Sequence, residues 1–272
     1  MKKRSLSRFM SLAMTGIMLC APLSVNAAPT TEVTDKDAAT GTVSGDGQVE
    51  AIVDKSIFKV ELPTEEEDPA KSIFGFKLDP QGLIMDTDAE AYGNATFDGS
   101  GFYFTNNSVD DEGNPVASYS CYSDSLTATN KGTIPVDVQL DATATLGDNI
   151  TLSDDEGFEA APSDASVYIA LMSGDFLEPL KADTGVATIT TSLNPADNGA
   201  YAVKYDTTGG YTYELTQEAI DNPDNYFYSL QFNLYGLCNT NGDFANWEAA
   251  KDDTPQVSVT WTLTEHVETP AP

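Results

Sequence analysis

From Val49 onward apolar and polar residues alternate, and the alternation breaks at short intervals on Gly, Pro, Asn or Asp. Period-two alternation puts successive side chains on opposite faces of an extended chain, so it predicts half-buried strands. Val49-Glu50-Ala51-Ile52-Val53 opens the series, and Ile57–Leu62 follows it up to Pro63. Ile73–Leu78 turns at Asp79-Pro80-Gln81-Gly82, and Phe102-Tyr103-Phe104 comes next. An extended segment over Ser118–Asn130 turns at Lys131-Gly132 and returns as Val136–Leu140. Further strands are predicted at Val167–Met172, Val186–Leu193, Tyr201–Tyr205 and Tyr211–Leu215. The last two are joined by Asp206-Thr207-Thr208-Gly209-Gly210, a Gly-ended hairpin connection. Tyr226–Leu237 and Val257–Leu263 complete the set.

Helical periodicity is nearly absent. Gln217–Asn222 fits a single helical turn, because the residue before Pro223 is pushed out of the helical region. The acidic run Glu65-Glu66-Glu67-Asp68 reads as a loop, since like charges repel in any regular element. The pattern therefore predicts an all-β fold, an antiparallel β-sandwich of the jelly-roll or immunoglobulin-like kind, with at most one or two short helical turns. The sandwich is placed at 49–266 (one domain, with two sub-sheets as an alternative) and a disordered tail at 267–272.

What precedes the strands changes the setting. Lys2, Lys3, Arg4 and Arg8 form a basic start, Phe9–Val25 is apolar, and Val25-Asn26-Ala27 offers small residues for a cut after Ala27. These are the three parts of a secretory signal peptide at 1–27. The apolar run is short and broken by Pro22, so it falls short of the ~20 apolar residues a membrane span needs. Residues 28–48 read as a flexible lead-in rich in Thr, Ala, Asp and Gly. The expected product is secreted, with no stable membrane anchor.

Charge then narrows the partners. Of 13 basic residues four leave with the leader, and nine remain against 43 acidic ones, a formal charge of −34 with no arginine. Phosphate recognition relies on Arg forks and basic patches, so nucleic acid is excluded as a partner. An anionic membrane surface is disfavoured for the same reason. Aromatic residues at 10% of the chain supply a core despite the acidity.

Two cysteines survive the cut, Cys121 and Cys238. An even pair in a secreted chain predicts one disulfide, contributing ~4–5 kcal/mol in the chain-entropy description; two separate buried thiols are the alternative. Neither cysteine has the spacing of a redox or zinc motif.

Catalytic chemistry finds little footing. The sole histidine, His266, lies six residues from the end in a Pro-rich tail, a poor place for a triad member or zinc ligand. No phosphate-binding or dinucleotide-binding glycine loop occurs. Paired carboxylates could serve a glycoside hydrolase, but with 43 acids a pair carries no information. The expectation is a protein without a catalytic site.

Two clusters suit a hard cation such as calcium: Asn239, Asn241 and Asp243 around Gly242, and Asp110 with Glu112 beside Gly113. Both are also ordinary polar turns. Trp247, in the loop-like stretch Phe244-Ala245-Asn246-Trp247, is a candidate for stacking on a sugar ring. Trp261 alternates with Val257, Val259 and Leu263, which places it in the core.

The segment Val257-Ser258-Val259-Thr260-Trp261-Thr262-Leu263-Thr264 resembles the distal Trp-x-Leu motif of the WxL domains of Gram-positive cell surfaces. Leu126–Gly132 with Val136-Asp137-Val138 resembles the strand–turn–strand around that family's proximal motif, and Val138-Gln139-Leu140 stands where its second Trp-x-Leu would be. The Asn130-Lys131-Gly132 turn is also similar to one in secreted TasA/camelysin-like β-sandwich proteins, which build extracellular fibres. Phe76–Ile84 is similar to a run in secreted proteins of gut Firmicutes. The resemblance implies a surface or matrix protein that is wall-associated or fibre-forming, with Trp261 and Leu263 as candidate wall contacts. Its expected partners are peptidoglycan or another surface glycan, or further copies of itself. A carbohydrate-binding module, calcium-stabilised and using Trp247, is the alternative.

Overall fold

A computed structural model describes residues 53–63, 73–87, 92, 97, 99–109 and 115–267. The predicted leader and lead-in, Asp110, Glu112 and residues 268–272 lie outside the described residues.

The fold is all-β, with strands β1 (Val60–Glu61), β2 (Phe76–Leu78), β3 (Phe102–Val109), β4 (Pro115–Ser120), β5 (Leu126–Asn130), β6 (Val136–Thr145) and β7 (Thr151–Ser153) in the first half. The second half adds β8 (Ser166–Ser173), β9 (Phe176–Pro179), β10 (Val186–Leu193), β11 (Tyr201–Asp206), β12 (Gly210–Leu215), β13 (Tyr228–Cys238) and β14 (Gln256–Glu265). The helices are α1 (Leu83–Asp86), α2 (Gln217–Asp221) and α3 (Phe244–Ala250), with a 3-10 turn at Pro223–Asn225.

Two sheets form the sandwich. One runs β1-β5-β13-β8-β7, with β9 also paired to β8; the other is β10-β6-β14. Their pairings are antiparallel except β7–β8. A three-stranded sheet β2-β3-β4 and the separate ribbon β11-β12 complete the set.

The core follows from the alternation. Val136, Val138, Leu140 and Ala142 of β6 are buried with Ala187, Ile189 and Leu193 of β10, in one cluster with Ile169, Leu171, Phe232 and Leu234 from the other sheet. Each such Val, Leu, Ile or Phe contributes ~1.5–3 kcal/mol on leaving water. The intervening residues of the β10-β6-β14 sheet, among them Thr188, Thr190, Gln139, Ser258, Thr260 and Thr262, are exposed.

The Asn130-Lys131-Gly132 turn is held from inside. The buried Asn130 amide donates to the carbonyls of Ile134 and Asn194, both at 2.9 Å, and its Oδ1 accepts from the Gly132 N–H at 2.9 Å. A Cβ at Gly132 would fall 2.3 Å from the Ile57 carbonyl, so the turn admits only glycine. The predicted turn at 217–222 forms as α2, capped by Thr216 Oγ1, which accepts from the Ala219 N–H.

The segment 118–130 is not one strand. It breaks after Ser120, and Tyr122 bridges to Tyr235 of β13 before β5 begins. That break sets the cysteines. Gly236 N–H donates to the Cys121 carbonyl at 2.8 Å, which places Cys121 beside Gly236, and Cys238 lies two residues farther along β13. Residues at such a diagonal stand ~7–8 Å apart, beyond the ~4.4–6.8 Å between the Cα atoms of a disulfide. The Phe102 ring fills the space over Gly236, 2.5 Å from where a Cβ would sit. Contrary to the sequence expectation, the structure holds Cys121 and Cys238 as two buried thiols.

Candidate functional site

The β10-β6-β14 sheet ends on β14, and no strand of the described residues pairs with its outer edge. The register gives the direction of every backbone group there. His266 N–H donates to the Pro135 carbonyl at 3.0 Å, extending the ladder in which Trp261 faces Leu140. Antiparallel pairs alternate between bonded and non-bonded, so the even-numbered residues of β14 bond to β6. The odd-numbered residues, Val257, Val259, Trp261, Leu263 and Glu265, then turn their N–H and C=O groups to the open edge. The other side of the sheet agrees: Ala144 N–H donates to Gly185, so even residues of β6 serve β10 and odd ones serve β14.

The edge carries almost none of the usual protections. Such strands are normally blunted by Lys, Pro, bulges or short length. Here ten residues run in unbroken register, with no Lys or Pro and a single charge at Glu265. At its end Asp137 accepts from Ser192 Oγ at 2.5 Å and lies 2.8 Å from His266 Nδ1, through the same carboxylate oxygen. The bond from Ser192, followed by that with His266, holds the Asp137 carboxyl below its ordinary range. The imidazole therefore sits against the carboxylate, not between it and the serine, and the group tethers the chain end to the sheet.

Trp261 and Leu263 face inward from β14. Trp261 packs with its ring centroid 6.1 Å from that of the buried Phe232, and Trp261 and Leu263 are half-buried against the core. The Trp-x-Leu segment pairs with Val138-Gln139-Leu140, Trp261 opposite Leu140 and Leu263 opposite Val138. Wall contact through these two side chains is not what the geometry provides.

Trp247 also differs from expectation. It lies on α3, not in a loop, with 9% of its surface exposed, and its Nε1 donates to the Asn239 carbonyl at 3.1 Å. Residues 244–250 wind as a helix that follows Asp243 at its N-cap position and buries Trp247 and Ala250, three residues apart, a signal too short to separate from a loop in sequence. Trp247 forms a shared wall of two clefts of ≈ 380 Å³ and ≈ 520 Å³, the first between Asp79–Gly82 and Thr240–Phe244. Asp79 is committed there: its carboxylate accepts from Leu83 N–H at 2.7 Å and Ile84 N–H at 2.8 Å.

Of the proposed calcium ligands, Asn239 is buried and fully employed. Its amide donates to the Pro162 and Asp164 carbonyls at 3.0 and 2.9 Å, and its Oδ1 accepts from Asn241 N–H at 3.1 Å. Asn241 and Asp243 are exposed on the turn that follows. The geometry is that of a polar turn pinning loop 161–164 to the end of β13. Among the described residues no three His, Cys, Asp or Glu side chains converge as a metal-binding group. No helix of the described residues is long and apolar enough to cross a membrane.

Two groups escaped sequence reasoning. Tyr168 and Tyr235 pack 6.0 Å apart on the outer face of the β13–β8 pair, and burial, followed by the nearby Glu156 carboxylate, pushes each phenol up to about 12. On the ribbon β11–β12 Tyr201 stacks on Tyr213 with centroids 5.4 Å apart, and the Tyr205 and Tyr211 rings meet at a tilt of 54° with centroids 5.0 Å apart. The signal for the second was legible as Tyr-x-Val-x-Tyr followed by Tyr-x-Tyr-x-Leu.

Comparison with protein-family models, curated proteins and solved structures finds no match to the chain.

Proposed function

We propose that this is a non-catalytic secreted protein of the cell surface or extracellular matrix, whose copies assemble through sheet edges into fibres. The observation that carries the reading is the unbroken edge of β14, which no strand of the described residues pairs with. An edge strand of this kind adds a further strand by main-chain hydrogen bonds, and another copy of the same sandwich can supply it. The leader expected at 1–27 supports release from the cell, and the acidic exterior keeps single copies soluble until edges meet. Wall association, which the Trp-x-Leu resemblance suggests, would use surfaces other than the inward-facing Trp261 and Leu263. Electron microscopy of concentrated purified protein tests the reading. Filaments or ladders of regular width support it, and dispersed single particles at every concentration count against it.

A further inference from the structure

The β11–β12 ribbon is a second surface with no assigned role. Its register places Tyr201 opposite Leu215, Val203 opposite Tyr213 and Tyr205 opposite Tyr211. Residues two apart share a face, so these six form one aromatic and aliphatic ladder whose rungs stand about 6.7 Å apart. The opposite face carries Ala202, Lys204 and Asp206 against Glu214, Thr212 and Gly210. Lys204 and Glu214 pair there at 3.1 Å, so the ribbon's charged side chains lie off the ladder.

The inner end of the ladder is fixed to the body of the protein. Tyr201 Oη donates to the Lys131 carbonyl at 2.5 Å, and Lys55 Nζ lies 5.5 Å over the Tyr213 ring. The outer end is open: Tyr205 is 64% exposed, Tyr211 49% and Val203 47%. Large apolar side chains left in water at the end of an anchored ribbon mark a contact surface.

We propose that this ladder binds an uncharged polysaccharide laid along the ribbon and stacked on Tyr205 and Tyr211. Three observations select that occupant. A polyanion is opposed by the charge of −34. None of the six ladder side chains is charged, so the surface has nothing to pair with an ionic partner. The open rungs offer roughly 300 Å², far short of the ~800 Å² per partner of a stable dimer. What remains complementary is a ligand with C–H faces for the rings and hydroxyl edges for the phenol oxygens and Lys55. A glycan site at the ribbon and an assembly site at β14 use different strands, so one molecule can hold both.

The test is native affinity electrophoresis of the purified protein in gels containing hydroxyethyl cellulose, laminarin, mannan or dextran, with alginate as the anionic control. Retardation by at least one of the four neutral polymers is expected, with none by alginate. The double variant Tyr205→Ala, Tyr211→Ala should bind that polymer at least tenfold more weakly, and Tyr205→Phe should stay within twofold of the parent. Tyr205→Ser alone, at the more exposed ring, reads the same loss should the double variant misfold. Absence of retardation in all four gels, or undiminished binding by the variants, overturns the proposal. So does a dimer in sedimentation that the double variant abolishes, which would make the occupant a second copy.

Discussion

Trp261 lies directly opposite Leu140 across the β14–β6 pair, its indole turned to the core and its main-chain N–H and C=O turned to the open edge of the sheet. The two halves of one residue thus serve different ends. The side chain fixes the register by packing beside Phe232, and the backbone offers a bonding site to a further strand.

Trp247 is a structural residue by the same kind of evidence. Trp247→Ala should lower stability by about 3–5 kcal/mol, the usual cost of emptying a buried aromatic site. Denaturant unfolding followed by far-ultraviolet circular dichroism measures it. A loss under about 0.5 kcal/mol, normal for surface substitutions, would instead return Trp247 to the role of an exposed platform.

The cysteines should behave as protected thiols. Burial, with the Asp79 carboxylate adding to it, pushes the Cys238 thiol well above its ordinary range, so little reactive thiolate is present at neutral pH. Without reductant, iodoacetamide should leave the native protein unmodified and add two groups after unfolding in guanidinium. An unfolded protein that takes up no label would show a disulfide instead.

The strand pattern was readable because each face of the sandwich buries alternate residues, and β10 and β6 show it most plainly at Val186–Leu193 and Val136–Leu140. Short strands such as Thr151–Ser153 and Phe176–Pro179 were not, since three or four residues hold too little periodicity. Ser118–Asn130 misled because Cys121 and Tyr122 continue an extended backbone while changing partner from β3 to β13. The helix around Trp247 was hidden because seven residues hold too little helical periodicity. The open edge of β14 was beyond reach from sequence, because it depends on which strands are neighbours and not on any residue type. The tyrosine ladder was written in the alternation, but only the hairpin register shows that the two runs share a face.

The tether at the chain end should be sensitive to pH. Asp137 is depressed by its bonds to Ser192 and His266, so its contribution is present above the ordinary carboxylate range and is lost as pH falls through the depressed value. Asp137→Asn should therefore melt below the parent at pH 7, and the two melting temperatures should converge in strong acid. Equal melting temperatures at pH 7 would leave the tether without a stabilising role.

Assembly through an acidic sandwich also predicts a salt response. Copies carrying −34 repel, and screening shortens that repulsion to ~8 Å at physiological ionic strength, so added salt should favour association. Light scattering that falls with added sodium chloride would mean that charge pairs, not strand edges, hold the copies together.

Val259 turns its N–H to the open edge while its side chain packs inward. Proline there removes an edge donor without removing a bond to β6, and edge strands tolerate it. Sedimentation velocity over a range of concentrations should show the parent protein growing into larger species. Val259→Pro should fold and remain a monomer, and Thr262→Lys, a charge on the same strand, should do likewise. A parent that stays monomeric throughout, or a folded Val259→Pro that assembles as the parent does, would contradict the account.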